Sequence, residues 1–255
     1  MVRVDLLGSG NAFLPSGRHH SFTCIDRHMI IDAPPTCLAS LRRAGISVAD
    51  IDTILITHVH GDHVFGFPFI LLERKYISDR EGLRPLTVAG SSGVKERLVH
   101  LCHLAYPGSL DSILETIEWV DIPKVENWSF ERFQVLHDPE VDPHGWRLEN
   151  ENGISLLHSG DSGPCEELWS RVGGVDLAIV EMGVPQWVPT EHHHKPADIE
   201  RLANENQDTT ILVTHTFIDA DYEIITTQVP DFPSNVIHGD DEMALELLAD
   251  SILLI

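Results

Sequence analysis

Apolar residues along this chain fall into short runs of two kinds. Val2-Arg3-Val4-Asp5-Leu6-Leu7 alternates in the manner of a strand. Residues 51–57, 154–157 and 209–214 are apolar and β-branched runs broken only by Asp52 and Ser155, the pattern of strands covered on both faces. Between such runs, apolar positions recur at helical spacing. Over residues 93–105 they are Val94, Leu98, Leu101, Cys102 and Ala105. Residues 35–44 predict a helix closed by Gly45. Pro164 predicts the opening of another that ends at Gly173-Gly174, and Pro196 opens one running to about Asn206. Strands alternating with helices indicate an α/β architecture. No linker, low-complexity tract or compositional break divides residues 1–255, so one domain is expected.

The ends of the strands carry the chemistry. The run 51–57 leads straight into His58, 154–157 leads through His158-Ser159-Gly160 to Asp161, and 209–214 leads into His215. A rigid sheet positions such residues while loops open a cleft above them. In His58-Val59-His60-Gly61-Asp62-His63, three imidazoles and a carboxylate fall within six residues. The two-residue step puts His58 and His60 on one side of an extended segment. Gly61 is expected to allow a tight turn that returns Asp62 and His63 to the same point. So many groups that resist desolvation, directly after a buried strand, require a partner, and imidazole with carboxylate suits zinc and its transition-series neighbours.

Thr57-His58-Val59-His60-Gly61-Asp62-His63 resembles the central signature of hydrolases with the metallo-β-lactamase fold. Leu7-Gly8-Ser9-Gly10-Asn11-Ala12, with Pro15, Arg18 and Ser21, is similar to the opening of the ribonuclease Z branch, which also includes small phosphodiesterases. The resemblance implies a four-layer αββα sandwich with a dinuclear site on its open edge. It implies that His58, His60 and His137 bind one divalent ion, that Asp62, His63 and His215 bind a second, and that Asp161 bridges them. The ions would be zinc, with manganese or iron as alternatives. His144 competes with His137 for the third position. Asp32, after Met29-Ile30-Ile31, matches an early aspartate near the site. The family's usual glycine two residues later is missing, since Ala33-Pro34-Pro35 follows.

Related enzymes carry a histidine shortly before a late helix, where it contacts the scissile group. Counting back from Pro196 in His192-His193-His194-Lys195 favours His193 as that catalytic residue, with His194 second, while a solvated helix cap also suits the triplet. His19 and His20, in the glycine-rich first loop, are candidate substrate contacts, whereas His100 and His103 sit on the surface of the amphipathic helix. The mechanism implied is attack by a metal-bridging hydroxide, with Asp62 holding the attacking water and His193 acting on the leaving oxygen. A small or cyclic phosphodiester is the leading substrate. A lactone, thioester or amide hydrolase and a non-catalytic metal-binding accessory protein are the alternatives.

Composition narrows the partners. Apolar residues make up 42% of the chain and charged ones 22%, as in an ordinary globular protein. The formal charge is −23, lysine occurs only at 75, 95, 124 and 195, and no basic run exceeds two residues. Long nucleic acids, which require clustered cations, are therefore poor expected partners, and a small molecule is the expected substrate. The arm that holds RNA in many ribonuclease Z proteins lies between the equivalents of His137 and Asp161, which here are 24 positions apart. The family's Phe-Ser-x-Arg-Tyr after the last histidine is replaced by Thr216-Phe217-Ile218-Asp219-Ala220-Asp221-Tyr222. Cys24, Cys37, Cys102 and Cys165 are scattered, which reads as reduced thiols in a cytoplasmic protein. No signal peptide or membrane span is read. The apolar tail Ile252-Leu253-Leu254-Ile255 suits an interface, so a homodimer is one expectation.

Overall fold

The computed structural model describes residues 1–218, 230–249 and 251–255. Residues 219–222 of the departure after His215 lie outside them. The chain first lays down β1 (Val2–Gly8), β2 (Phe22–Ile25), β3 (Met29–Ile31), β4 (Thr53–Leu55), β5 (Leu86–Ala89) and β6 (Ile117–Val120). It then builds a second sheet from β7 (Trp128–Gln134), β8 (His144–Asn150), β9 (Ser155–His158), β10 (Leu177–Glu181), β11 (Thr210–Thr214) and β12 (Val236–His238). β13 (Met243–Leu248) and β14 (Ser251–Leu254) return to the first. The strand orders are β14-β13-β1-β2-β3-β4-β5-β6 and β12-β11-β10-β9-β8-β7.

The apolar runs explain the layering through their period of two. In β10, Leu177 and Ile179 face the other sheet while Ala178 and Val180 face helices. In β4, Leu55 points between the sheets and Ile54 towards helices. Three apolar layers result. One lies between the sheets, centred on Val4, Leu6, Trp146 and Leu212. The first sheet packs its outer face on α1 (Cys37–Arg43), α2 (Gly61–Val64), α3 (Phe67–Glu73), α4 (Val94–Ala105) and α5 (Asp111–Leu114). The second packs on α6 (Glu166–Val172) and α7 (Pro196–Glu205). The expected αββα sandwich is what the chain forms.

Helix boundaries follow their punctuation closely. Gly45 has φ +63° just past α1, and Pro196 is the first residue of α7. α6 departs from expectation: it begins two residues after Pro164, with extended Cys165 as its N-cap, so the proline lies in the entering loop. Cys24, Cys37 and Cys102 are buried free thiols. Among the described residues no helix is long and apolar enough to cross a membrane. The apolar tail forms the edge strand β14, with Leu254 and Ile255 exposed.

Strands β3 to β6 run parallel, as do β9 to β12. Parallel strands present all their C-terminal ends at one edge. Asp32 follows β3, His58 follows β4, Asp161 follows β9, Glu181 ends β10 and His215 follows β11. The candidate chemistry therefore gathers at one edge of the sandwich for a topological reason.

Candidate metal centre

After β4 the chain stays extended through His60, which is the N-cap of α2 with φ −65° and ψ 154°. The expected tight turn at Gly61 is instead the first turn of a right-handed helix. His63 and Val64 both donate their N–H to the His60 carbonyl, at 3.1 Å. Helical winding brings Asp62 and His63 round together. A Cβ at 61 would lie 2.7 Å from the Phe65 ring, an exposed side chain that would have to turn aside. His137 arrives from the loop after β7, where Leu136 and Gly163 form a bridge that ties this loop to the one carrying Asp161.

Two donor sets face each other at this edge. His58 Nε2 and His137 Nε2 each lie 3.1 Å from His60 Nδ1. That is close to the roughly 3.3 Å edge of a tetrahedron of nitrogens about 2.0–2.1 Å from zinc. In the second set, His215 Nε2 is 3.4 Å from Asp62 Oδ2, and His63 Nε2 is 3.5 Å from the same oxygen. Asp161 belongs to both. Its Oδ1 is 3.2 Å from His63 Nε2, and its Oδ2 is 3.3 Å from His215 Nε2 and 3.9 Å from His58 Nε2. His144, the competitor of His137, is held at 2.8 Å from the Asp142 carbonyl instead.

Asp32 organises the second set from behind. Its Oδ1 accepts the Thr57 N–H at 2.8 Å, and its Oδ2 accepts the Thr57 hydroxyl at 2.8 Å and lies 2.7 Å from His63 Nδ1. This turns His63 Nε2 towards Asp161, the usual service of a carboxylate behind a ligating histidine. Asp32 takes a left-handed φ of +67° and His215 one of +49°, uncommon conformations that the surrounding bonds sustain. The loop with Ala33-Pro34-Pro35 closes without the family's glycine: Ala33 donates to the His63 carbonyl at 2.7 Å, and Gly66 donates back to Ala33 at 2.8 Å.

The donor set fits a pair of divalent cations. His63 Nε2 and Asp161 Oδ1 are buried and, despite their 3.2 Å approach, make no hydrogen bond of acceptable geometry among the described residues. Buried polar atoms without partners are costly, and a cation between them removes the cost. Burial raises the pKa of the Asp161 carboxyl, but His215 and His63 outweigh it and hold it well below the usual range. Burial likewise opposes protonation of His63, yet Asp161, Asp62 and Asp32 drive its pKa well up. His58, buried and beside His63, is pushed well down and stays neutral, as a ligand must. The carboxylate-bearing half is thus a trap for positive charge.

A beta-lactamase superfamily domain matches residues 27–216. The chain belongs to this superfamily. Ribonuclease Z of Pyrobaculum aerophilum is 25% identical over 258 residues, covering 84% of this chain and 86% of that one. The crystal structure of human tRNase Z, short form, superposes with a TM-score of 0.70 at 18% identity, covering 96% and 98% of the two chains. A diphosphatase of the PhnP family does so with a TM-score of 0.70 at 18% identity, covering 97% and 98%. The chain is a metal-dependent hydrolase of the metallo-β-lactamase fold, similar in sequence to ribonuclease Z.

Further histidines of this superfamily member separate by direction. His193 lies over the centre, its ring 4.9 Å from that of His137 and stacked 5.9 Å from that of His215. Its Nδ1 is 2.7 Å from Glu181 Oε1. Burial disfavours the imidazolium, but the Glu181 carboxylate prevails and raises its pKa to about 9. His194 turns the other way. It is fully buried, stacks on Trp169 and accepts that indole N–H at 3.0 Å, so its ring is enclosed rather than a solvated cap on α7. The chain bends at residues 191–193, just before α7, and the two neighbouring rings find different partners there. His19 is also turned from the centre, its Nδ1 2.7 Å from Ser40 Oγ. His20 lies within the electrostatic reach of Asp62, His63 and His215, and burial lowers its pKa.

Glu181 was not legible as a site residue. It is 1% exposed, and besides His193 its carboxylate accepts the N–H groups of Ser162 and Gly183. The available signal was a carboxylate directly after the apolar run 177–180. A Cβ on Gly183 would lie 2.8 Å from His193 Nδ1, so glycine there leaves room for the pair.

Proposed function

We propose that the chain hydrolyses small phosphodiesters at a pair of divalent ions, with zinc suiting the imidazole-rich donors and manganese or iron as alternatives. The observation that carries this reading is the Asp161 carboxylate lying between the two donor sets. His58, His60 and His137 would hold one ion, Asp62, His63 and His215 the other, and Asp161 both. Bound metal supplies an acidified water and draws charge from a phosphoryl oxygen. The chain's own residues do the rest. Asp62, whose side chain is 17% exposed, orients the attacking water as a hydrogen-bond acceptor. His193 donates a proton to the leaving oxygen as its bond to phosphorus breaks, with Glu181 holding the ring. A proton donor so placed contributes about 10²–10⁴-fold.

Substrate size follows from charge and shape. At −23, the surface repels each phosphate of a polyanion within a Debye length of about 8–10 Å, whereas a small diester brings one charge to the centre. Between His137 and Asp161 the described chain is a short turn and the hairpin of β8 and β9, closed tightly where Asn150 and Ile154 exchange hydrogen bonds, with no protruding arm. Relatives named ribonuclease Z make precursor transfer RNA the natural competitor. Buried free thiols suit a cytoplasmic setting.

The test measures metal content and compares kcat/KM for an activated small diester, a lactone, a thioester and a transfer-RNA precursor at two ionic strengths. We expect close to two metals per chain, activity abolished by chelator, and clear preference for the small diester. Preference for the RNA overturns the substrate assignment, and preference for the carbonyl substrates overturns the reaction class.

A further inference from the structure

Beside the candidate centre the fold leaves a cavity of about 400 Å³ that the chemistry above does not use. Its walls are largely hydrocarbon. Val64 ends α2 and Phe65 follows it, Leu101 and Leu104 come from α4, as does the one further imidazole, His100, and Val141 comes from the turn after His137. His60 closes one side, so the same imidazole that offers Nδ1 to His58 and His137 is a wall shared by the ligand cluster and the cavity. Phe65 is 54% exposed and Leu104 68%, an apolar surface that the folded chain itself leaves open. Arg97 stands at the rim, and its guanidinium makes no ion pair or hydrogen bond among the described residues. In a chain with 17 basic residues against 40 acidic ones, an unpaired arginine over an apolar cavity is available to a ligand. Hydrocarbon walls and a free guanidinium together favour an aromatic ring, which buries its area and meets the cation with its face. The volume falls within the range of small-molecule sites, roughly 300–1,000 Å³.

We infer that this cavity receives an aromatic substituent of the substrate, an aryl or heteroaryl group on the ester whose phosphoryl group lies at the ligand cluster. The inference rests on the phosphodiester reading for its anchor, but binding tests it without turnover. Calorimetry on the full-length, metal-loaded protein compares phenylphosphonate with methylphosphonate, which share the anionic head and differ in the ring. The expected result is a Kd at least about tenfold lower for the phenyl compound, a modest share of what burying a ring yields. Leu104→Glu and Val141→Asp each place charge in the cavity, from an exposed and a buried position, and each should reduce that preference to about threefold or less. Equal affinities in the wild type, or a preference that survives both substitutions, overturn the inference. So does the finding that a second copy covers the cavity: a dimer in sedimentation that Leu104→Glu dissolves while the phenyl preference stays unchanged. A phenyl preference in a protein that turns over no diester would sink the proposed reaction and leave the aromatic cavity standing.

Discussion

The two halves of the candidate centre are built on different principles. One is three imidazoles, His58, His60 and His137, whose nearest carboxylates are the shared Asp161 and the partly exposed Asp138, 3.7 Å from His60 Nε2. Its outer member, His60, has a side chain 37% exposed and separates the cluster from the apolar cavity. The other gathers Asp62 and Asp161 with His63 and His215, is almost wholly buried, and is braced from behind by Asp32. Carboxylates in a low-dielectric setting attract a dication over distance, whereas neutral imidazoles hold one only by contact. The carboxylate half should therefore fill first and release last. The imidazole half, adjoining the cavity, is placed to exchange ligands with the substrate.

The largest expected effect comes from removing what the halves share. Asp161→Ala should lose more than one metal's worth of occupancy, measured by elemental analysis of protein never exposed to chelator. Its turnover should fall by at least about 10³-fold, because metal assistance is lost as a unit. A variant retaining both ions would end the bridging assignment. Next comes the separation of centre from neighbour. His193→Ala should cut turnover about 10²-fold with metal content intact, while His194→Ala keeps turnover and loses stability. The cost at 194 should be about 1–3 kcal/mol from the orphaned Trp169 N–H and lost packing, seen as a lower Tm. The reverse pattern would exchange the roles of the two residues.

Asp32→Asn sharpens the comparison, because it touches only the carboxylate half. Metal affinity there should weaken about 10–100-fold, the usual cost of losing a carboxylate behind a ligating histidine. A competition titration with a chromophoric chelator should show one weakened site and one unchanged. Equal weakening of both would mean that Asp32 braces the whole edge through Thr57. The smallest effect is expected in the paired comparison of His60→Ala with Asp62→Ala. Both should retain about one ion per chain, with the ion held more tightly in His60→Ala, by about tenfold from the remaining carboxylates. Tighter retention in Asp62→Ala would reverse the proposed order of filling.

Much of this was present in the order of residues. The unbroken apolar runs 177–180 and 211–213 require cover on both faces, so a layered sandwich is implicit in them. His58, Asp161 and His215, which follow the runs 51–57, 154–157 and 209–214, announce a ligand set, because nothing else repays their desolvation. The helix starting at Gly61 was not legible. A four-residue helix carries too little periodicity to separate from a turn, and the ring that crowds Gly61 belongs to Phe65, four residues on.

What only the tertiary structure decided are the properties that depend on direction and on partners distant in sequence. His193 and His194 are neighbours of one residue type. Their assignments differ because one ring meets Glu181 and the other Trp169, two partners distant in sequence. His137 lies beside His58 and His60 where its loop is tied to the Asp161 loop by the bridge between Leu136 and Gly163, and His144 turns to the Asp142 carbonyl. Glu181 became a site residue through a 2.7 Å contact across a loop, and the cavity beside His60 exists only where α2, α4 and the turn at Val141 meet. Sequence determines which groups must be paired, since desolvation is a property of each residue where it is buried. Which partner each one finds is settled by packing, because contacts between segments 55 or more residues apart, such as His137 with the His192 carbonyl, depend on how whole layers dock.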